Sequence, residues 1–183
     1  MKSVVYVVFL RGINVGGKTM IGMEELKGAF SSLGFTRIKT VLASGNVIFE
    51  TREGDLADLT EKIEQTIQST FGFQIAVILR SAKEIQSLAS SKPFKQNKGT
   101  QQTRFLVTFL AETPAHISKI SKRLSNNDFE IVRISDRQVC SAIEISPGRG
   151  TSDLMKILQK EFGKKITTRT WNTVERIAKL LEG

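Results

Sequence analysis

The sequence contains one cysteine and one histidine in 183 residues. Cys140 has no second cysteine to form a disulfide with, which favours a reducing compartment and predicts a cytoplasmic protein. Cys140 and His116 together cannot supply a closed set of zinc ligands, so we expect no metal site of that kind. A Cys–His catalytic pair is a minor alternative, because no surrounding pattern supports it.

Long apolar runs are also absent from the sequence. No stretch reaches the roughly 20 apolar residues that a membrane-spanning helix needs. The first residues, Met1-Lys2-Ser3, lead directly into an apolar segment without a cleavage-site pattern, so we expect no signal peptide. These observations predict a protein without a membrane partner.

Acidic residues are outnumbered by basic ones, 18 to 27, which gives a formal net charge of +9. Residues 1–80 carry 9 basic and 8 acidic side chains, a net charge of +1, whereas residues 81–183 carry 18 and 10, a net charge of +8. The basic second part would attract a polyanion. Nucleic-acid binding by this part is therefore an alternative to an ordinary basic surface.

The chain is organised around an apolar, β-branched run from Val4 to Leu10, which ends at the glycine-rich segment Gly12–Thr19. This pattern predicts a buried central strand followed by a loop. The segments that follow predict a helix, two strands over residues 37–42 and 47–52 joined by a hairpin at Ser44–Asn46, a second helix, and a strand over residues 74–80. The resulting order, βαββαβ, is that of a ferredoxin-like unit.

The same order recurs after a polar stretch over residues 90–102. The pattern predicts a helix after Pro114, a helix over residues 154–162, a terminal helix capped at Asn172, and strands over residues 104–110, 129–134, 139–145 and 165–169. We therefore predict an α+β fold of two tandem ferredoxin-like units with antiparallel sheets and a C-terminal helix. The predicted boundaries are residues 1–80 for the first unit, 81–102 for a helix and polar linker, and 103–183 for the second unit with its helix.

The segment Gly12–Thr19 satisfies the P-loop pattern G-x-x-x-x-G-K-[ST]. In a nucleotide-dependent transferase, Lys18 and backbone amides would contact the phosphates and Thr19 would contact Mg²⁺. However, a P-loop domain needs a parallel sheet, and the predicted hairpin makes the next two strands antiparallel. No later strand ends in an aspartate that would help to hold Mg²⁺. A glycine turn is therefore the simpler interpretation, with the transferase as an alternative.

Three segments in this order, Phe9–Lys18, Ser44–Phe49 and Thr167–Val174, resemble the DUF1697 family. The likeness extends from Val4 to about Leu181. It implies a bacterial-type cytosolic α+β protein whose biochemical role is not established. The resemblance supplies no catalytic residues and no cofactor, so the protein could be a binding protein or an enzyme.

These segments are polar and rich in glycine, unlike segments that pack a core, so they predict a ligand site. In a ferredoxin-like unit the first two strands end at the same edge of the sheet, so we expect the glycine-rich segment to lie beside the Ser44–Asn46 turn. We predict an anionic small molecule, carrying phosphate or carboxylate, as the ligand. The candidate ligand-binding residues are Arg11, Asn14, Gly16, Gly17, Lys18, Ser44, Gly45 and Asn46, with Arg169 and Asn172 if the C-terminal segment joins them.

Trp171 is the only tryptophan of the chain. It could stack on a nucleic-acid base, but we expect it to pack the terminal helix instead.

Overall fold

A computed structural model describes residues 3–17, 19–113, 129–135, 137–145 and 151–183. Within these ranges the chain forms eight strands and five helices. In chain order they are β1 (Ser3–Leu10), α1 (Met23–Ser32), β2 (Thr36–Thr40), β3 (Asn46–Arg52), α2 (Leu56–Phe71), β4 (Val77–Ser81), α3 (Ala82–Ser90), β5 (Thr103–Leu110), β6 (Phe129–Ser135), β7 (Gln138–Glu144), α4 (Ser152–Phe162), β8 (Ile166–Thr170) and α5 (Trp171–Leu181). The helix predicted after Pro114 lies outside the described residues.

The chain separates into two compact units. The first contains Met1–Gln86 with Leu181–Gly183, and the second contains Ser87–Leu180. Each unit has one four-stranded sheet in which all neighbouring strands are antiparallel, with the orders β2-β3-β1-β4 and β6-β7-β5-β8. The prediction of an α+β protein with two antiparallel sheets and a C-terminal helix is confirmed.

Strand β1 lies in the middle of the first sheet, between β3 and β4. Tyr6, Val8 and Leu10 belong to the core cluster that α1 and α2 help to form. Successive residues of a strand face opposite sides of the sheet, and Val7 and Phe9 on the other face are also fully buried. Burial on both faces explains why β1 is a continuous apolar run rather than an alternating one.

The second unit has an equivalent core. Leu106 and Leu110 of β5 pack in a cluster with apolar residues of β6, β7 and β8. Leu154 and Leu158 supply the buried face of α4 to the same cluster. The helix thus covers one face of its sheet, as the 3.6-residue spacing of its apolar positions predicts.

Two of the helices, α2 and α3, begin at side-chain caps. Before α2, the Asp55 side chain accepts hydrogen bonds from the backbone N–H groups of Ala57 and Asp58 at 2.7 and 3.2 Å. Before α3, Ser81 and Glu84 form the capping box that the sequence indicates, with Ser81 N donating to Glu84 Oε2 at 2.7 Å and Glu84 N to Ser81 Oγ at 3.3 Å. Each cap satisfies backbone donors that have no partner within the helix.

The start of α5 differs from its prediction. The helix begins at Trp171 rather than after a cap at Asn172. The Thr170 hydroxyl accepts from the backbone N–H of Thr173 at 3.4 Å, so Thr170 occupies the capping position. The reason is that β8 runs directly into the helix, which leaves no loop in which Asn172 could act as a cap.

The two sheets repeat the same register. Val7 pairs with Arg80 in the first sheet, and Val107 pairs with Arg169 in the second. Both arginines are buried, and the Nη1 atom of each donates to the carbonyl of the preceding residue, Leu79 at 2.7 Å and Thr168 at 2.9 Å. The edge strands β2 and β6 also share a register shift at the same position.

The repeat extends to the end of the central strand in each unit. Leu10 N donates to Gly45 O, and Leu110 N donates to Arg137 O, both at 2.8 Å. Arg11 N donates to Ala76 O at 3.0 Å, and Ala111 N donates to Lys165 O at 3.1 Å. The segment that follows β1 is rich in glycine, whereas β5 continues as Ala111-Glu112-Thr113. The glycine-rich segment is therefore an addition that this strand arrangement does not itself need.

Candidate functional site

The glycine-rich segment after β1 holds a backbone conformation that few residues adopt. Gly12, Gly16 and Gly17 have φ angles of 68°, 64° and 71°, and Asn14 and Thr19 have 55° and 56°. Positive φ is easy for glycine and tolerated by asparagine, but it is unfavourable for a β-branched threonine. The three glycines are thus explained by backbone geometry, whereas Thr19 is held there against its preference.

Asn14 forms hydrogen bonds within the glycine-rich segment and the residues after it, and also to the neighbouring turn. Its Oδ1 atom accepts from Ile21 N at 2.8 Å, and its Nδ2 atom donates to Ile21 O at 3.1 Å and to Ala43 O at 2.8 Å. Its own backbone N–H donates to Thr19 O at 3.1 Å. Because an asparagine amide has two hydrogens, both of its side-chain donors are already used.

The turn between β2 and β3, residues 41–45, is closed by Asn46. This side chain is fully buried, and its Nδ2 atom donates to Val41 O at 2.7 Å and to Ser44 Oγ at 3.1 Å. Gly45 has a φ of 77° and lies against the end of β1, where a Cβ atom would come within 2.7 Å of Ile13 Cδ1. The structure thus brings the glycine-rich segment and the Ser44–Asn46 turn together, which confirms the expected proximity.

The remaining candidates differ in accessibility. Arg11 is half-buried, whereas Gly16, Gly17 and Ser44 are exposed. Lys18 lies outside the described residues. Arg169 and Asn172 belong to the second unit, where Arg169 is buried and Asn172 is exposed. The described candidates of the first unit therefore lie on two segments that Asn14 and Gly45 bring into contact. One segment carries Arg11, Asn14, Gly16 and Gly17, and the other carries Ser44, Gly45 and Asn46.

The geometry of a P-loop is not formed by the described residues. A P-loop leads directly into a helix whose N-terminus faces the phosphates. Here α1 begins only at Met23, after residues 19–22, and every strand of the first sheet is antiparallel to its neighbours. The match at Gly12–Thr19 is therefore a match to the sequence pattern without the P-loop geometry, and the transferase alternative loses its structural basis.

Arg169 is held by its own strand. Its Nη1 atom donates to Thr167 Oγ1 at 2.8 Å as well as to the carbonyl of Thr168. Burial lowers the pKa of the Arg169 guanidinium to about 10, which still leaves it charged at neutral pH. Trp171, two residues later, makes an edge contact with Phe94 at a ring-centroid distance of 5.3 Å, so the prediction that it packs is confirmed.

Cys140 is unsuited to nucleophilic chemistry. It is fully buried in β7, and desolvation raises the pKa of its thiol to about 11, although the nearby charge of Arg133 partly opposes this. The thiolate is the reactive form of cysteine and is scarce at neutral pH under these conditions. His116, its proposed partner, lies outside the described residues.

The buried thiol makes a testable contribution to the pH dependence of stability. The ordinary pKa of 9.0 is raised to about 11 in the folded protein, so between these values the unfolded chain has lost a proton that the folded chain keeps. Stability should therefore fall by about 1.4 kcal/mol per pH unit in this window because of Cys140 alone. Urea unfolding of the wild type and of Cys140→Ala from pH 8 to 11 measures this. Parallel curves for the two proteins would contradict the prediction.

Two further properties concern membranes and metals. No helix in the described ranges combines the length and apolar composition needed to cross a bilayer. Within the same ranges, no three His, Cys, Asp or Glu side chains are grouped so that they could hold a metal ion.

Sequence reasoning missed a set of exposed apolar side chains at this edge. Val15 is 68% exposed, Met20 63% and Leu42 43%. Val15 belongs to the glycine-rich segment, Met20 follows it directly, and Leu42 belongs to the adjoining turn. The sequence signal for this exposure was the presence of apolar residues inside a polar, glycine-rich loop, because such a loop has little core in which to bury them.

Two solved structures show what this chain is similar to. A conserved bacterial protein from Streptococcus pneumoniae has a TM-score of 0.74 and 24% sequence identity, over 98% of this chain and 99% of that one. At this identity, the likeness shows a shared fold. An unknown protein from Galdieria sulphuraria covers 92% of this chain and 98% of its own, but its TM-score is 0.27 and its identity 11%, so it carries no argument.

Sequence comparisons identify the family. No curated protein matches the chain. The profile described as "Protein of unknown function (DUF1697)" matches residues 4–140, which include the glycine-rich segment and the Ser44–Asn46 turn. The segment Thr167–Val174, which also carried the resemblance, lies beyond this match. The chain belongs to the DUF1697 family of proteins of unknown function.

Proposed function

We propose that the first unit binds an anionic small molecule, bearing phosphate or carboxylate, at the edge formed by the glycine-rich segment and the Ser44–Asn46 turn. The single observation that carries this proposal is the difference between the two units. Their central strands end with equivalent hydrogen bonds, yet the first is followed by a glycine-rich segment that Asn14 joins to the turn, whereas residues 111–128, which follow the second, contain no glycine. A feature that the repeated strand arrangement does not need is a candidate for function.

The chemistry of this edge favours an anion. Residues 11–22 and 41–46 contain two cations, Arg11 and Lys18, and no carboxylate. Gly16 and Gly17 are exposed and have no side chain to keep an oxyanion from their backbone N–H groups. The Glu25 carboxylate, which follows this segment, accepts a hydrogen bond from Gly22 N at 3.3 Å.

We assign the two asparagines to positioning. The Asn14 and Asn46 side chains bond to the backbone of the two segments, so they hold the site in shape, while Arg11, Lys18 and backbone amides bind the ligand. Arg169 and Asn172 would join only if the second unit contributes to the same site.

Calorimetric melting with inorganic phosphate, pyrophosphate, citrate and ATP tests the proposal. A ligand that binds only the folded state at 100 times its Kd stabilises it by about 2.7 kcal/mol, which raises the Tm by several degrees. Among the anions that bind, we expect Arg11→Gln or Lys18→Ala to weaken affinity about tenfold, since a hydrogen bond to a charged group contributes about 1.5–3 kcal/mol.

Arg52→Gln is the matched control. Arg52 is exposed and pairs with Ser3, at the opposite end of β1. The Arg52→Gln variant should have the same affinity for each anion as the wild type. The proposal is wrong if no anion raises the Tm, or if Arg11→Gln and Lys18→Ala leave every affinity as it is in the wild type.

We further propose that the two units are tandem ferredoxin-like βαββαβ repeats, with boundaries at residues 1–80, 81–102 and 103–183. The strand orders and shared registers support this, because a ferredoxin-like sheet has two central strands flanked by the second and fourth.

Nucleic-acid binding by the second unit is a second candidate function. Lys92, Lys95, Lys98 and Arg104 are all exposed within 13 residues of chain, close in sequence to Phe94, which contacts Trp171. Counterion release predicts that such binding weakens steeply as salt increases. Titration of the full chain with oligonucleotides at 50 and 200 mM salt measures this. Affinity that does not depend on salt, or that survives Lys92→Gln with Lys95→Gln and Lys98→Gln, would contradict this candidate.

A further inference from the structure

Exposed apolar side chains are concentrated at one edge of the first unit. Within the described part of the chain, five large apolar side chains are exposed: Val15, Met20, Leu42, Phe73 and Leu180. The first three flank the hydrogen bonds of a single side chain, Asn14. We call Val15, Met20 and Leu42 the apolar patch.

The hydrogen bonds of Asn14 bring together the segments that carry the apolar patch. Val15 follows Asn14 directly. Met20 lies between Thr19 and Ile21, which both bond to Asn14, and Leu42 precedes Ala43, whose carbonyl accepts from Asn14 Nδ2. Three apolar residues that span 28 positions of sequence are thus each adjacent in sequence to Asn14 or to one of its hydrogen-bond partners.

Folding alone does not account for these residues. Leu42 has a φ of 61°, a conformation that is unfavourable for leucine and that glycine or asparagine would adopt easily. Its side chain is 43% exposed, so burial only partly offsets this. Val15 and Met20 are still more exposed. Residues that are unfavourable for stability and cluster at a proposed site are candidates for a role in binding.

We infer that the ligand of this edge is an amphiphilic anion, in which an anionic head group is attached to an apolar chain or ring. This inference rests on the proposed function. The head group faces Arg11 and the amides of Gly16 and Gly17, and the apolar part covers the apolar patch. Charge supports this occupant, because the segments that carry the patch contain cations and no carboxylate. A purely polar anion would leave the patch exposed to water.

Monoalkyl phosphates from methyl to octyl, at concentrations below micelle formation, test the inference by isothermal titration. They share one head group and differ only in apolar length. Affinity in the wild type should rise about two- to fourfold per methylene over the first few carbons, as expected for partial burial of each group. The variant Val15→Ser with Met20→Gln and Leu42→Asn should bind methyl phosphate as the wild type does but lose this dependence on length. Met20→Gln alone should weaken it.

Leu180→Asn is the matched control, because Leu180 is 39% exposed and belongs to the second unit. It should keep the full dependence on chain length. If methyl phosphate binds but affinity does not rise with length, or rises equally in the triple variant, the inference is wrong and the proposed function stands. If no alkyl phosphate binds but another anion of the melting series does, the inference is wrong and the proposed function stands. If no anion of either series binds, both are wrong. Dimerisation that the triple variant abolishes would assign the patch to a second copy and overturn the inference.

Discussion

Gly45→Ala is expected to lower the free energy of unfolding by about 3 kcal/mol, which combines the cost of a left-handed conformation with that of overpacking. Gly45 has a φ of 77°, and an added Cβ atom would lie 2.7 Å from Ile13 Cδ1 and 2.9 Å from Leu10 Cβ. The Ile13 side chain can shift slightly, but Leu10 Cβ is fixed to the central strand of the sheet. Urea unfolding of the purified variant measures this loss.

Gly34→Ala separates the two contributions. Gly34 has a φ of 76°, but nothing lies within 4 Å of the position of an added Cβ atom. Gly34→Ala should therefore lower the free energy of unfolding by the conformational cost alone, about 1 kcal/mol. If Gly45→Ala costs no more than Gly34→Ala, the close approach of the turn to β1 is wrong.

Asn14→Ala is expected to lower the free energy of unfolding by about 3 kcal/mol, since three hydrogen bonds of about 1 kcal/mol each are lost. It should also abolish binding of any anion that the wild type binds. The physical reason is that Asn14 is the residue that joins the glycine-rich segment to both Ile21 and Ala43. Chemical unfolding and calorimetric titration, on the same preparation, measure the two effects.

Asn14→Gly distinguishes the hydrogen bonds from the backbone. Glycine accepts the φ of 55° without strain, so this variant loses only the side-chain bonds. Asn172→Ala, at an exposed asparagine of the second unit, should change stability by less than about 0.5 kcal/mol. Near-wild-type stability of Asn14→Gly would mean that the three hydrogen bonds do not hold the segment.

Strand β1 could be predicted from the sequence because its signal is local. The ends of the other strands could not be predicted in this way, because they are set by pairing with neighbouring strands. Strand β4 was predicted to start at Gln74 but starts at Val77, the residue that pairs with Leu10 at the end of β1. Strand β2 was predicted to reach Leu42 but ends at Thr40, since Val41 N turns to bond with Asn46 O. A strand extends only as far as its partner.

The repeat between the units was visible only as a repeated order of elements. Sheet positions constrain size and polarity rather than identity, so Ile48 and Cys140 occupy equivalent places beside Val7 and Val107. The buried arginines Arg80 and Arg169 are the identical polar pair, beside apolar pairs such as Phe9 with Phe109, and their equivalence depends on register. Register is a property of the assembled sheet, so no comparison of letters reveals it.

The sequence predicted where the candidate site lies but not the hydrogen bonds that hold it together. Topology places the ends of β1 and β2 at one edge, so the proximity of the two polar segments follows from the order of strands. The hydrogen-bonding roles of Asn14 and Asn46 do not follow from the order of strands, because most of their partners are backbone groups of residues that the fold brings near. The Ala43 carbonyl, for example, lies 29 residues away from Asn14 in sequence and is brought near only by the fold.

The positions of the single tryptophan, cysteine and tyrosine determine which spectroscopic and labelling signals can report the unfolding of each unit. Trp171 and Cys140, each present once, both belong to the second unit, whereas the single tyrosine, Tyr6, is buried in the first. Where the two units unfold separately, tryptophan fluorescence and thiol labelling follow the unfolding of residues 87–180 and do not report on the unit that carries the glycine-rich segment. A ligand that stabilised only the first unit would leave the tryptophan melting curve unchanged. Tyr6 absorbance, or a tryptophan introduced at Phe73, would reveal it.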